Sequence, residues 1–490
     1  MFKTLLSLLM VLGLGGCVQE GTGPLDQEMG AEMPTLIYYT IGKPDRDLAK
    51  VTQALNELAA EEIGARIDYR KIEWNQYVNR MDLLIDSGQA YDIAYAHSYA
   101  KNAKRGIWLD LTPYLAPGEP GAPLTEVVDP IFWEGVRVGG KTYGVPTNKE
   151  LAVAEQWMYP ERLVDKYRID VSAYRSLESL EPLLEMIVRE EPEYQPMQLD
   201  KDANNFFRMY GYEYISDKGL PLMVKSLAEA PQIVNPFETP EGLEILQCLR
   251  RYYLAGYINS EAALTPPASL VANEKVFLHM ASGGPYSAPT WSQLRNYPVV
   301  AQIVTDPVVT SESTQAGVMS INQNSRWPEE CVRFLTLINT DPAVRNLLAY
   351  GIEGTHYRLD QEDRVLLTDP EGYSGVNYTQ GNWFLLKTLG GPYPEPPDKW
   401  ARYRRYNRSV LKSKILGFSP DLSPWETQRK AVAAVCSLYY PPLMTGSVDV
   451  DRYLPAFIEA LDQAGLKEIQ AGLQAQLEAW QKEQQAQPEA

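Results

Sequence analysis

Apolar and polar positions along the first hundred residues alternate between strand and helix periodicity. The run TLIYYTI at 35–41 is almost continuously apolar, which is typical of a strand buried on both faces of a parallel sheet. Apolar residues then recur at helical spacing in 48–58, and Gly64 predicts the end of that helix. Strand patterns at 66–72 and 91–96 flank a second helical pattern. This order predicts a layered α/β domain whose ligands lie beyond the carboxyl ends of the strands.

The pattern further along the chain predicts a second lobe. Residues 141–158 predict a hairpin followed by an extended segment that crosses between two lobes. Residues 160–280 are mostly helical in pattern, whereas 299–304 and 316–321 return to strand character. The chain is therefore predicted to pass between lobes more than once.

The C-terminal pattern predicts a packed pair of helices. Apolar residues between 454 and 480 share one helix face on each side of a break at 464–466. We interpret this face as packing within the fold rather than as a surface for a partner. The polar residues 481–490 are predicted to be a disordered tail.

The N-terminal apolar run predicts export. Its ten residues, 5–14, follow Lys3 and are too few to span a bilayer, which takes roughly 20. This order is that of a secretory signal, assigned to 1–16. The run ends in Leu-Gly-Gly-Cys17, which resembles the lipobox of bacterial lipoproteins, so Cys17 is the predicted lipidated N-terminus and 17–33 the flexible tether. The alternative is an ordinary signal peptide with an incidental cysteine.

Composition limits the class of partner. The chain carries 63 acidic and 45 basic residues, for a net charge of −18, and 45% of its residues are hydrophobic. A folded protein with this balance lacks the basic footprint that nucleic acid requires. An uncharged or cationic ligand fits better.

Motifs of catalysis and metal binding are missing from the sequence. Cys248, Cys331 and Cys436 are far apart, which favours small buried hydrophobic roles over a zinc site. The segment DKDANN at 200–205 has the oxygen ligands of a calcium loop but lacks its required glycine and its final glutamate. No cofactor or metal is expected. A carboxylate pair of the glycosidase kind stays open, because nothing in the sequence marks one.

Aromatic residues with a polar edge point to a sugar ligand. The chain has 31 Tyr and 10 Trp against 10 Phe, and such rings stack on sugars and hydrogen-bond at their edges. Most of them are expected to pack in the fold. The candidates are those at the predicted strand ends, which are Tyr39, Trp74 and Tyr95, together with His97.

Several stretches resemble family 1 extracellular solute-binding proteins of ABC importers. They include KRGIWLDLTPYL, KTYGVPTN, EKVFLHMASGGPYSAPTW and NQNSRWPEECVRFLTLINTDPAVRNLLAYGIEGTHY. The C-terminal stretches GNWFLLKTLGGPYPEPPDKWARYRRYNRSVLKSKILGF and YYPPLMTGSVDVDRYLPAFIEALDQAGLKEI are similar to the LipO-like lipoprotein branch. The resemblance implies a two-lobed α/β receptor of the periplasmic-binding-protein type II fold, with a ligand cleft and an interlobe hinge. We assign the N-terminal lobe to 34–155 and 302–340, and the C-terminal lobe with a helical extension to 156–301 and 341–480.

The resemblance also points to individual residues. YDIAYAHSYA is similar to the segment whose strand end faces sugar in maltose-type receptors, which adds Ser98 to Tyr95 and His97. GGPYSAPTW resembles a loop whose tryptophan stacks on sugar; Tyr286 stands at that place, and Trp291 is near it.

Further candidates follow the Gly-Val-Pro segment and the C-terminal glycines. NKE aligns with a polar ligand contact, through Asn148 and Glu150. The remaining candidates are Glu353, Asn382 and Trp383. Several candidates have competing structural roles: Trp74 as a packing anchor, His97 as the partner of a loop carbonyl, Glu353 as a helix cap, and Asn382 with Trp383 as packing for the C-terminal part.

The leading hypothesis is a monomeric, lipid-anchored receptor on the outer side of the cell membrane. It would capture a carbohydrate, with an oligosaccharide as the favoured class, and deliver it to an ABC permease. One alternative keeps the receptor role for a peptide, an amino-acid derivative or a polyamine. The other is a surface glycoside hydrolase.

Overall fold

The computed structural model of the chain describes residues 33–202, 206–216, 219–266 and 275–486. Helices and strands alternate through most of these ranges. The α-helices are α1 Leu48–Ile63, α2 Trp74–Ser87, α3 Tyr99–Lys104, α4 Ala122–Val127, α5 Pro130–Gly135, α6 Glu161–Tyr167, α7 Glu181–Glu190, α8 Pro240–Leu254, α9 Ser287–Arg295, α10 Ser311–Gln315, α11 Pro328–Thr340, α12 Pro342–Tyr350, α13 Lys399–Asn407, α14 Glu426–Met444, α15 Val450–Gln463 and α16 Leu466–Ala486. The strands are β1 Thr35–Ile41, β2 Arg66–Ile72, β3 Ile93–Tyr95, β4 Arg137–Val138, β5 Lys141–Thr142, β6 Val145–Pro146, β7 Ala154–Pro160, β8 Gln195–Met197, β9 Tyr212–Tyr214, β10 Met223–Lys225, β11 Val276–Gly283, β12 Val299–Ile303, β13 Val308–Val309, β14 Val318–Ile321, β15 Tyr357–Leu359, β16 Val365–Leu367 and β17 Leu411–Lys412.

A five-stranded sheet in the order β2-β1-β3-β14-β6 forms the N-terminal lobe. β1 pairs in parallel with β2 and β3, whereas β14 returns antiparallel to β3. One face of the sheet packs on α1, α11 and α12, and the other on α2 and α3. The predicted strands and helices of the first hundred residues are confirmed, including the end of α1 at Gly64, whose φ is +64°.

A four-stranded sheet in the order β12-β7-β11-β8 forms the C-terminal lobe. Its core contains buried residues of α7, α8, α14, α15 and α16. The predicted terminal pair is therefore confirmed as α15 and α16, and its apolar residues Phe457, Leu461, Ile469, Leu473 and Leu477 are fully buried.

Three segments connect the two lobes. The first, 147–153, joins β6 of one sheet to β7 of the other, as the sequence predicts, and the second, 304–317, returns from β12 to β14. The third includes β17, which pairs in parallel with β13 of the second segment. The three segments touch closely, since Asn407 donates to the Lys149 carbonyl at 2.9 Å and Ser313 donates to that of Leu151 at 2.8 Å.

The structure differs from the sequence-based expectations in three places. Residues 160–280 include β8, β9, β10 and most of β11, because their short buried runs are too brief to show a period. The tail is helical to Ala486, since QKEQQA is made of good helix formers that extend α16. Val344, Leu348 and Tyr373, assigned to the C-terminal lobe, pack in the N-terminal core. The rest of the predicted lobe boundaries stay predictions.

The described cysteines are buried. Cys248, Cys331 and Cys436 form no disulfide, as expected for small hydrophobic residues. The predicted signal segment, Cys17 and almost all of the tether lie outside the described residues. Among the residues that are described, no helix is both long and apolar enough to cross a bilayer.

Candidate functional site

An aromatic wall stands at the carboxyl ends of the N-terminal strands. Tyr95 ends β3 and donates its hydroxyl to the carbonyl of Ala316 at 3.1 Å, and burial raises the pKa of that hydroxyl. Trp74, the first residue of α2 and the second after the end of β2, is 59% exposed, and its ring centroid lies 5.7 Å from that of Tyr378. This wall of Trp74, Tyr95 and Tyr378 presents polar-edged rings to solvent, as a sugar-binding surface does.

Tyr378 is held in this wall by a buried arginine and a close backbone approach. Arg345, which is fully buried, donates to the side-chain oxygen of Asn377 at 3.1 Å and to its carbonyl at 3.2 Å. A β-carbon at Gly317 would collide with the Tyr378 carbonyl, so only glycine lets the two segments meet. The loop that carries Tyr378 is thus fixed against the second connecting segment.

A cavity of about 380 Å³ adjoins this wall at Ala316. Its size is within the range of small-molecule sites, which is about 300–1,000 Å³. It lies between the C-terminal lobe and the first two connecting segments. The lining residues are Lys149, Val153, Arg208, Met209, Tyr210, Gly211, Tyr212, Glu213, Lys225, Ser226, Leu227, Ala228, Thr305, Asp306, Val308, Thr310, Glu312, Ser313 and Ala316.

Charged groups in the cavity wall form a network centred on Arg208. Its guanidinium lies 3.1 Å from Glu155 Oε1 and 2.6 Å from Glu312 Oε2. Ser282 donates to Glu155, but burial dominates and raises the pKa of that carboxyl. Burial likewise raises the pKa of Glu213 to about 7, and Ser413 donates to it. The network ties the C-terminal lobe to the second and third connecting segments.

A second group of aromatic rings lies on the other side of Lys149. Lys149 lines the cavity, and its ammonium is 6.0 Å from the ring centroid of Trp383. Trp383 and Tyr286 both approach Tyr403, at 6.4 and 6.3 Å between centroids. Lys149 also pairs with Glu150 at 3.1 Å, so the predicted Glu150, Tyr286 and Trp383 lie in one neighbourhood.

Asn148 and Asn382 are brought together as a structural pair. Asn148 donates to the carbonyl of Val127 at 2.7 Å and to Asn382 Oδ1 at 3.2 Å. Asn382 in turn caps the short turn at Trp383–Leu385 and donates to the Asn339 carbonyl. Both amides are buried and join the first connecting segment to α4 and α11, which favours a hinge-positioning role.

Other predicted residues have partners within the fold. The hydroxyl of Tyr39 accepts from Arg70 at 2.7 Å in a buried cluster. His97 is 5% exposed, and its Nε2 lies 2.8 Å from Asp82 Oδ1. Ser98 is exposed with φ of +47°, and Glu353 is exposed in the turn after α12. Trp291 is half-buried, with Gly283 against its ring. Their ligand roles stay predictions.

Sequence reasoning did not find Tyr378, Arg208, Tyr210 and Glu312. Tyr378 lies in an irregular stretch, and Arg208 and Tyr210 belong to a short 3-10 turn, so no period marks them. Within the described ranges no three His, Cys, Asp or Glu side chains cluster in a way that could hold a metal ion.

A relative matches nearly the whole chain, and a family model matches part of its C-terminal region. A carbohydrate ABC transporter substrate-binding protein of Streptococcus pneumoniae serotype 4 is 27% identical over 468 residues, which cover 94% of this chain and 93% of the relative. Residues 414–482 match the family described as Domain of unknown function (DUF3502). That segment begins just after β17 and ends within α16, and it is built into the C-terminal lobe.

Solved structures match the fold equally broadly. The N-glycan transport solute-binding protein NgtS from Streptococcus pneumoniae superposes with a TM-score of 0.83 at 26% identity, over 92% of this chain and 99% of that one. Its complex with Man5GlcNAc gives a TM-score of 0.75 at 26% identity, over 93% and 100% of the two chains. An HMO-binding solute-binding protein from Bifidobacterium longum infantis, with a TM-score of 0.62 at 12% identity over 92% and 99%, shares the fold.

The two-lobed fold, the cavity beside the connecting segments and these matches define a substrate-binding protein of an ABC transporter, which is a transport receptor and not an enzyme. Over nearly its whole length the chain is similar to carbohydrate substrate-binding proteins of ABC transporters.

Proposed function

We propose that this receptor captures an oligosaccharide between its lobes and delivers it to the membrane permease of an ABC importer. The observation that carries the proposal is the pairing of an exposed aromatic wall with an adjoining cavity. Trp74 and Tyr378 offer ring faces, while Arg208, Glu312 and Lys149 offer charged hydrogen-bonding groups beside them. This combination suits a ligand with apolar ring faces and a hydroxylated edge.

The relatives support this class of ligand. NgtS is described as an N-glycan transport protein and has been solved with Man1GlcNAc and Man5GlcNAc. The cations Arg208 and Lys149 are already paired with carboxylates of the fold, Arg208 with Glu155 and Glu312 and Lys149 with Glu150, which favours a ligand without negative charge. A charged peptide or polyamine would have to displace these internal pairs.

A thermal-shift panel tests the proposal. Man1GlcNAc and Man5GlcNAc are compared with spermidine and a short neutral peptide, each at a series of concentrations. A bound saccharide at 100 times its Kd adds about 2.7 kcal/mol to the free energy of unfolding, and the melting temperature rises accordingly. A rise with spermidine or peptide, and with neither saccharide, would contradict the proposal.

We infer in addition that the receptor is tethered to the membrane through a diacylated Cys17. The lipobox-like Leu-Gly-Gly-Cys ending of the apolar run supports this, and the tether that follows would give the lobes reach toward the permease. The Cys17→Ser variant is expected to leave the membrane fraction of the cell and to bind saccharide unchanged. Retention of that variant at the membrane would contradict a lipid anchor.

A further inference from the structure

A strongly basic segment interrupts this acidic chain. Residues 399–414, KWARYRRYNRSVLKSK, contain seven Lys or Arg and no Asp or Glu. The chain as a whole has 45 basic residues among 490, about one in eleven, and a net charge of −18. The segment covers α13 and the β17 strand after it.

The fold presents these charges on one surface. Tyr403 and Asn407 lie on the buried side of α13. Asn407 hydrogen-bonds there to the backbone of Lys149 and Leu151 in the first connecting segment. Arg404, Arg405 and Arg408 are exposed on the other side, since positions 404 and 408 are one helical turn apart. Lys412 of β17 is also exposed. These four residues are called the α13 patch.

The α13 patch keeps an excess of positive charge. Lys412 pairs with Glu134 at 3.0 Å, and Arg405 lies 3.8 Å from Asp398, which Arg402 already occupies at 2.6 Å. None of the ion pairs found among the described residues includes Arg404 or Arg408. Arg404 lies instead over the ring of Phe384 at 4.6 Å.

We propose that the α13 patch binds the anionic headgroups of a phospholipid surface. Each basic residue close to such a surface adds its own contribution to the binding free energy. The patch therefore needs no groove and no fixed geometry in its partner. Acidic groups elsewhere on the chain oppose this contact weakly, because salt screens charges beyond about 8 Å. The proposal goes beyond ligand capture, and the nearness of the patch to a membrane in the cell rests on the proposed lipid anchor.

Vesicle sedimentation of the full chain with Cys17→Ser tests the patch without any acyl anchor. The protein is mixed at low salt with vesicles of pure phosphatidylcholine, or with vesicles that contain about one third phosphatidylglycerol. Binding is expected only to the anionic vesicles and is expected to weaken as salt is raised. The variant R404Q/R405Q/R408Q should bind about a hundredfold more weakly.

A matched variant removes three exposed arginines elsewhere. R80Q/R326Q/R333Q changes the net charge equally on the N-terminal lobe and should bind the anionic vesicles like the parent. Unchanged melting temperature and saccharide affinity of R404Q/R405Q/R408Q show that its fold and ligand site are intact, which separates this proposal from the proposed function. Equal loss in both triple variants, or no sedimentation of the parent with anionic vesicles, would overturn the proposal and leave an acidic protein surface as the partner of the patch.

Discussion

At the scale of single residues, Trp74 combines high exposure with a defined aromatic neighbour. It exposes 59% of its surface, a state that costs solvation free energy unless a ligand covers the ring. We expect Trp74→Ala to lower affinity for a bound saccharide about tenfold, because a stacking contact contributes on the order of 1 kcal/mol beyond its area. Stability should change little. Calorimetric titration measures the affinity.

The control for this substitution lies on the same helix. Leu83 is 66% exposed on α2, so Leu83→Ala removes a comparable exposed side chain without touching the aromatic wall. Equal affinity of the two variants for the saccharide would show that Trp74 does not contact it.

Glu213 gives the lobe a pH dependence of stability. Burial raises its pKa from 4.5 to about 7 although Ser413 and Ser226 hydrogen-bond to it and Arg208 is near, with Glu312 adding to the rise. Between pH 4.5 and about 7 the folded state keeps a proton that the unfolded state has lost. The free energy of unfolding therefore falls as the pH rises through this range. The full shift in the pKa of Glu213 corresponds to a loss of about 3 kcal/mol in the free energy of unfolding.

Urea unfolding at a series of pH values measures this effect. In Glu213→Gln the neutral amide replaces the protonated acid, so the variant should gain stability relative to the parent as pH rises from 4.5 to 7. Other titrating groups cancel in that difference. Parallel stability curves for the two proteins would show that Glu213 titrates normally.

Single residues of the site were only partly predictable from sequence. Trp74 and Tyr95 follow strands of a clear period, so the rule for parallel sheets placed them at the right edge. Tyr39 obeys the same rule, but its side chain packs in the layer between β1 and α2. There its hydroxyl accepts a hydrogen bond from Arg70. Whether a side chain at a strand end faces the ligand or the fold depends on which helices pack against the sheet. The local sequence pattern does not give that information.

At the scale of elements, the packing of α16 depends on one glycine. Gly472 lies inside this helix, and a β-carbon there would collide with the indole ring of Trp425. Glycine costs a helix about 1 kcal/mol relative to alanine, yet we expect Gly472→Ala to destabilise the protein by about 1–3 kcal/mol through overpacking. Denaturant unfolding measures the change.

A double variant isolates the cause. In Gly472→Ala combined with Trp425→Leu the indole is gone, so the alanine should then cost nothing or stabilise the helix. If Gly472→Ala stabilises the protein with Trp425 in place, the ring moves aside freely and the contact is not a constraint.

Element type was predictable where an element is long and one-sided. α1, α15 and α16 have apolar stripes on one face, and their existence is confirmed. β11 was missed because its first five residues are all buried, and a continuous apolar run fits a buried helix as well as a strand. Its identity depends on pairing with β7 and β8, which are distant in sequence.

At the scale of the whole molecule, the two lobes have separate cores linked by a small cluster at the connecting segments. That cluster consists of Val128, Phe132, Leu151, Ala152, Val309 and Leu416. The lobe boundaries assigned from the sequence imply three crossings, but the sequence could not show that the chain stays in the N-terminal lobe through 344–373, because that packing joins residues about 300 positions apart.

Because the two lobes have separate cores, we expect a substitution that destabilises one lobe to leave the stability of the other unchanged. Leu473 of α16 is fully buried in the C-terminal core, so Leu473→Ala should cost about 2–5 kcal/mol there. Amide hydrogen exchange is expected to accelerate in β7, α8 and α14 and to stay unchanged in β1, α1 and α11, because the cores open as separate units. Leu438→Ala, at a site 69% exposed on α14, is the matched control and should leave both lobes unchanged. Equal acceleration in both lobes would mean that the connecting segments couple them into one cooperative unit, and a saccharide would then stabilise the whole receptor rather than only the surfaces it touches.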